Sequence, residues 1–144
     1  MTRKKPARSV QRHPATPVLQ QLSQFRYQLR LFLRFSEKAA RAAGITPQQH
    51  QLMLGVAGFT GRGWATISEL AEFLQERHNA VVTLVSRASR AHLVRKRVVA
   101  RDHRLIRVEL TPTGRAVLMK LSGLHRKELS RFEWGRLPLG LRKV

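Results

Sequence analysis

One acidic residue, Asp102, stands within a strongly basic stretch, and this combination suggests recognition of phosphate groups. The segment ARDHRLIRVELTPTG, residues 100–114, places Arg101, His103 and Arg104 around that carboxylate. Arginine binds phosphate through a fork of donors, and a neighbouring carboxylate can hold such a side chain in place beforehand. We expect Asp102 to organise basic side chains that contact a polyanion. A purely turn-forming role for Asp102 is the alternative.

The charge of the whole chain narrows the class of partner. The chain has 144 residues, with 28 Lys and Arg against 8 Asp and Glu, a formal net charge of +20. Self-repulsion of this size opposes compaction unless a polyanion neutralises it, which favours DNA or RNA over an anionic membrane. A hydrophobic content of 42% is enough for one domain with a core.

Residue types that support catalysis or cofactor binding are poorly placed. The chain has no cysteine, and its six histidines lack a metal-binding spacing. They are His13, His50, His78, His92, His103 and His125. No nucleophile stands with a base and an orienting acid, and GFTGRG matches no phosphate-binding loop. We expect a protein that is not an enzyme and has no metal or cofactor.

The sequence also lacks signals for membranes. No apolar run approaches the roughly 20 residues that span a bilayer, and the N-terminus has no apolar secretion signal. We therefore expect a cytoplasmic protein that does not enter a membrane.

Apolar periodicity and capping residues predict helices before the basic stretch. From Pro17 to about Ala43 apolar residues recur three and four apart, and the width of this apolar face suggests a subunit interface. TPQQ and TISE are capping boxes that begin two further helices, the second ending at Leu74. After a turn, residues 78–92 predict a longer helix.

The order of the remaining elements predicts a winged helix. Two β-branched runs, RVVA and LIRVEL, flank RDHR and indicate a hairpin with a basic tip. TPTG then begins a helix that reaches about Phe132. The short helix, turn and longer helix before the hairpin have helix-turn-helix proportions. The fold class is mainly α with a small β-hairpin wing.

The predicted helix-turn-helix identifies candidate DNA contacts. A recognition helix touches base edges with its N-terminal half. His78, Asn79, Val82 and Thr83 are the base-edge candidates. Arg87 and Arg90 are expected to contact phosphate or to hold the wing, and Arg101, His103 and Arg104 belong to the wing. The alternative for the helix is an ordinary solvated face.

These segments resemble the MarR family of winged helix-turn-helix transcriptional regulators. The resemblance runs from about Ile67 to Leu121 through ISELAEFL, AVVTLVSRASRAHLVRKR and DHRLIRVELTPTG, and GITPQQHQLML resembles the family's second helix. It implies a homodimer on pseudo-palindromic duplex DNA, with Arg104 as the wing arginine that enters the minor groove. It also implies a small aromatic effector, for which Phe25, Phe32 and Phe59 are candidates, although such residues are more often core.

Two positions and the C-terminal segment depart from the family pattern. His92 replaces the glycine that usually ends the recognition helix, so a left-handed histidine is expected there. Ser86 replaces a common acidic residue. The C-terminal EWGRLPLGLRKV is short and interrupted, where the family has a long helix at the dimer interface.

The expected organisation has three parts. Residues 1–15 form a disordered basic arm, either a solvated tail or a phosphate contact. Residues 16–132 form the winged-helix domain, with the helix-turn-helix at about 67–93 and the wing at about 95–110, and residues 133–144 form a short tail. The expected function is sequence-specific regulation of transcription, with repression as the usual mode. The alternative is a non-sequence-specific nucleoid-type or RNA-binding protein, and a protein-interaction module is disfavoured by the charge.

Overall fold

Five helices and a three-stranded sheet form the architecture in a computed structural model. The structure describes residues 17–59, 61–99 and 101–132, with only the backbone of 102–104. The elements are α1 (Pro17–Ala42), α2 (Pro47–Gly58), β1 (Trp64–Thr66), α3 (Ile67–Leu74), α4 (His78–Arg90), β2 (Val94–Val99), β3 (Asp102–Leu110) and α5 (Pro112–Leu129). The predicted basic arm and C-terminal tail lie outside the described residues.

The predicted capping boxes begin α2 and α3. The Thr46 hydroxyl accepts from the Gln49 amide at 3.1 Å, and the Gln49 side chain accepts from the Thr46 amide at 2.9 Å. Thr66 and Glu69 exchange the same two bonds at 3.3 and 2.8 Å. Both boxes satisfy amide groups that a helix start leaves without partners, which explains why α2 and α3 begin where the sequence predicted.

The strands are longer and more numerous than the sequence predicted. The sheet order is β1-β3-β2, and both pairings are antiparallel. The interpretation of RDHR as a turn between strands is wrong for residues 102–104, because β3 begins at Asp102. Strand β1 was not predicted at all. Backbone hydrogen bonds to β3 can form whatever the polarity of the side chains, so residues without an alternating apolar pattern can also join the sheet.

One core joins the sheet to helices α2 to α5. It contains Leu52, Met53, Leu70, Val81, Val85, Val108 and Leu121 among its buried side chains. Helix α1 contributes only Ala40 as a buried residue. Most of this 26-residue helix therefore lies beside the core rather than within it.

The chain leaves α1 and α4 through residues with left-handed backbone. Gly44 has φ of +78° and follows α1, as expected for a helix-ending glycine. His92 has φ of +56° two residues after α4. The predicted left-handed conformation of His92 is confirmed.

Candidate nucleic-acid interface

One side of α4 is buried and the other is exposed. Val81, Val85 and Ala88 face the core. The four base-edge candidates, His78, Asn79, Val82 and Thr83, are exposed, as are Arg87 and Arg90. The structure thus brings together on one solvent-facing side of α4 all six residues that the sequence assigned to this helix.

The N-terminal half of α4 offers polar groups to a ligand. Arg77 is the N-cap residue and makes no side-chain capping bond, and the first turn contains no acidic residue. The Thr83 hydroxyl donates to the Asn79 carbonyl at 3.1 Å. This bond uses the hydroxyl proton of Thr83, so its oxygen remains an acceptor and its methyl group remains available for apolar contact with thymine.

A cleft beside α4 contains residues that the sequence reasoning did not select. The cleft encloses about 300 Å³ between α2 and α4, and its lining includes Gln48 and Gln51 from α2 with Thr83 and Arg87 from α4. Gln48 and Gln51 are exposed and stand one helical turn apart on α2. That spacing of two polar side chains was the available signal.

The wing is the hairpin of β2 and β3. Its pairing shifts between Val98, which faces Ile106, and Val99, which faces Asp102. Three residues of β3 therefore lie between the two partners, a local irregularity at the basic end of the hairpin. Arg101 is exposed. The side chains of Asp102, His103 and Arg104 lie outside what the structure describes, so the organiser role of Asp102 stays a prediction.

A second cavity lies where α1, α2 and α5 meet. It encloses about 330 Å³ and is lined by Phe32, His50, Leu54, Ser122, His125, Arg126 and Leu129. The Phe32 ring meets the His125 ring edge-on, with centroids 5.7 Å apart. One of the three effector candidates therefore lines a cavity of the size that holds a small ligand.

The other two effector candidates are elsewhere. Phe59 lines a separate cavity with Gly55, Gly58 and Phe73, and the guanidinium carbon of Arg62 lies 4.4 Å from the centre of its ring. Phe25 is half-buried and belongs to the lining of neither cavity. The structure does not bring the three phenylalanines into one cleft.

Two buried histidines lie next to each other at the second cavity. The ring centroids of His50 and His125 are 4.7 Å apart, with the ring planes tilted by 41°. His125 Nδ1 lies 2.7 Å from the Leu121 carbonyl and must donate to it, so in the neutral ring Nε2 accepts from the Ser36 hydroxyl at 2.8 Å. Burial, and then the proximity of His125, lowers the pKa of His50 from 6.5 to about 4. His50 is therefore neutral at physiological pH.

The described part of the chain contains neither a cluster of metal ligands nor a membrane-spanning helix. No three His, Asp or Glu residues there come together as metal ligands. None of the helices there is long and apolar enough to cross a membrane.

Comparison with known proteins gives structural rather than sequence matches. No protein-family model matches the chain, and curated proteins include no similar sequence. AbsC, a MarR family transcriptional regulator from Streptomyces coelicolor, has a TM-score of 0.68 and 21% identity, covering 83% of this chain and 80% of AbsC. A MarR family protein from Bacillus stearothermophilus has a TM-score of 0.70 and 19% identity, with coverages of 83% and 81%.

A third similar structure contains DNA. It is a mutant of MarR from E. coli complexed with operator DNA, with a TM-score of 0.64, 18% identity and 79% coverage of both chains. The five helices and the small antiparallel sheet described above match the winged-helix structures of this family. The predicted winged-helix fold is confirmed, and this chain has the fold of the MarR family transcriptional regulators.

Proposed function

We propose that the protein is a MarR-type transcriptional regulator that binds duplex DNA in a sequence-specific manner. The observation that carries this proposal is the exposed side of α4, where His78, Asn79, Val82 and Thr83 offer donors, acceptors and methyl groups from the N-terminal half of the helix. Such a side fits the major groove, where each base pair presents its own pattern of donors, acceptors and methyl groups. The operator DNA in the complex of the E. coli MarR mutant supports the same class of ligand.

Selection of duplexes from a random-sequence pool tests this proposal. The selected duplex and a scrambled duplex of equal length are titrated at the same salt concentration. We expect a preference of roughly a thousandfold or more for the selected duplex. Asn79→Ala should remove about 1–3 kcal/mol of that preference, because asparagine reads adenine through two bonds. Equal affinities for the two duplexes would instead indicate the non-sequence-specific binding that the net charge alone permits.

We assign Asp102 the role of organising the wing for entry into the minor groove. The proposal rests on the acidic side chain standing among Arg101, His103 and Arg104, with Arg104 as the residue that enters the groove. An idle carboxylate near DNA would repel phosphate, so Asp102→Ala would then strengthen binding. We expect Asp102→Ala to weaken binding, and Arg104→Ala to cost roughly 1–3 kcal/mol. Unchanged or tighter binding by Asp102→Ala, at unchanged stability, would remove the organiser role.

We also propose that a small aromatic acid regulates binding from the cavity between α1, α2 and α5. Phe32 supplies an aromatic edge there, and Arg126 supplies a positive charge at the lining. Benzoate serves as the probe and is expected to raise the melting temperature of the parent but not of Arg126→Gln. Equal shifts in both proteins, or none in either, would count against this site.

A further inference from the structure

The sheet has a second face that the core does not use. Val108 and Leu110 of β3 are buried on the core side, so Arg107 and Glu109 point to the opposite side. In the strand register, Arg97 of β2 pairs with Arg107 of β3. Glu109 of β3 pairs with Arg95 of β2 on one side and with Trp64 of β1 on the other. Residues directly opposite each other share a face, which gives this outer face a row of arginines around one tryptophan.

The Trp64 ring contacts two arginines, Arg107 of β3 and Arg62, which precedes β1. The guanidinium carbon of Arg107 lies 4.1 Å from the centre of the Trp64 ring, and that of Arg62 lies 4.0 Å from the same centre. Arg62 also pairs with Glu69. Side chains fixed in this way lose little freedom when they bind a ligand. Because two guanidinium groups already cover Trp64, stacking of nucleobases on this ring is disfavoured. The arginines are therefore the groups on this face that can bind a ligand.

The charges on this face do not balance. Nε of Arg95 and Nε of Arg97 donate to the same oxygen of Glu109, at 2.9 and 3.1 Å. Arg107 forms no ion pair among the described residues, and its buried Nε has no hydrogen-bond partner there. We name this surface the cationic plate: Arg62, Arg95, Arg97 and Arg107 with Trp64, Glu69 and Glu109.

The position of the plate restricts what it can contact. Helix α4 shares its core with Val108 and Leu110, so the plate lies on the side of the sheet that faces away from α4. Strand β3 rises about 3.3 Å per residue, which places Arg107 roughly 10 Å from residue 104 along the hairpin. A ligand that touches both the wing and the plate must therefore span roughly 10 Å or more along the hairpin.

We propose that the cationic plate binds the sugar–phosphate backbone of duplex DNA that flanks the sequence read by α4. This inference rests on the proposed function. Guanidinium forks match phosphate oxygens, and the +20 charge of the chain favours a nucleic acid over an acidic protein. The plate would strengthen binding to long DNA without reading its sequence.

The test compares two duplexes that carry the same selected sequence, one of about 20 base pairs and one extended by about 10 random base pairs on each side. The plate variant is Arg95→Gln/Arg97→Gln. Its matched control is Lys120→Gln/Lys127→Gln, which removes the same charge from exposed positions of α5. Circular dichroism and thermal unfolding establish that each variant is folded, and affinity is measured over a range of salt concentrations.

We expect the flanks to tighten binding by the parent about tenfold and to steepen its salt dependence by close to one unit of slope per added phosphate contact. The plate variant should lose most of this gain, while the control keeps it and both retain the preference for the selected sequence. A flank effect that persists in the plate variant would overturn the proposal and leave an acidic protein surface as the partner that the charge fits. An equal loss in the control would also overturn it, because bulk charge would then explain the effect.

Different results would contradict the two proposals. If the parent binds the selected and the scrambled duplex equally well, only the proposed function is contradicted. In that case the salt slope on a random duplex of about 40 base pairs still tests the plate, since phosphate contacts are independent of sequence. If the plate variant shows the same salt slope as the parent on this duplex, the proposal that the plate binds DNA is rejected.

Discussion

At the scale of single residues, His50 makes stability depend on pH. The unfolded chain binds a proton at this residue with a pKa of 6.5, whereas the folded site binds one only near pH 4. The unfolded state therefore holds more protons between these values. Stability from the neutral, buried ring is fully present above pH 6.5 and is lost as the pH falls through 4.

We predict that the free energy of unfolding falls by up to about 3 kcal/mol as the pH is lowered from 6.5 to 4. Urea denaturation at several pH values measures this change. His50→Gln should flatten the dependence within this window, and His78→Gln, which removes an exposed histidine of α4, should not. A parent profile that is flat across the window would contradict the buried, neutral His50.

Single positions also show how far a sequence can be interpreted. The left-handed conformation of His92 was predictable because it stands where the resembling family places a glycine, and its φ is +56°. The stacking of Arg62 and Arg107 on Trp64 was not predictable. These residues meet only because β1 pairs with β3, and a three-residue strand has no periodicity to detect.

At the scale of elements, a close backbone approach joins α5 to the turn after α4. The Thr111 hydroxyl donates to the carbonyl of His92 at 2.5 Å, and the Thr111 amide donates to the carbonyl of Leu93 at 3.1 Å. A Cβ atom on Gly114 would lie 1.9 Å from that carbonyl oxygen of Leu93. Glycine is thus required at this position for contact rather than for conformational freedom.

We predict that Gly114→Ala lowers the free energy of unfolding by roughly 1–3 kcal/mol or more, because backbone atoms must move apart to admit the methyl group. Chemical denaturation measures the loss. Gly123→Ala on the same helix is the control, since nothing lies within 4 Å of a Cβ at that position. It should be neutral or stabilising, because alanine favours helix. Equal effects of the two substitutions would show that helix propensity, and not the contact with Leu93, governs this helix.

Helices were easier to predict than strands for a physical reason. The starts of α2 and α3 carry local signals, Thr46 with Gln49 and Thr66 with Glu69, and these bonds lie within three residues along the chain. Strands β2 and β3 depend on partners farther along the chain, so charged residues such as Arg95 and Asp102 join the ladder. The exposed side of α4 was accordingly predictable, whereas the cationic plate required the sheet register.

At the scale of the whole molecule, α1 presents an apolar surface that the described residues leave exposed. Val18 and Leu19 are 60% and 58% exposed, and Leu22 and Leu33 are also exposed. A helix of 26 residues is about 39 Å long and buries one residue against the core. Apolar area of this kind on a long helix is typical of a subunit interface, and a two-fold dimer would place two α4 helices on two half-sites.

We predict that the parent sediments as a dimer at micromolar concentration and that Leu19→Glu/Leu22→Glu is a folded monomer. Both side chains are exposed within one subunit, so the charges should disrupt association rather than folding. Because two linked half-site contacts gain from effective concentration, the monomer should bind a two-half-site duplex at least a hundredfold more weakly. Met119→Glu, at a position that is 67% exposed on α5, is the control and should remain dimeric. A parent that sediments as a monomer and protects a single half-site would leave the apolar surface of α1 without this role.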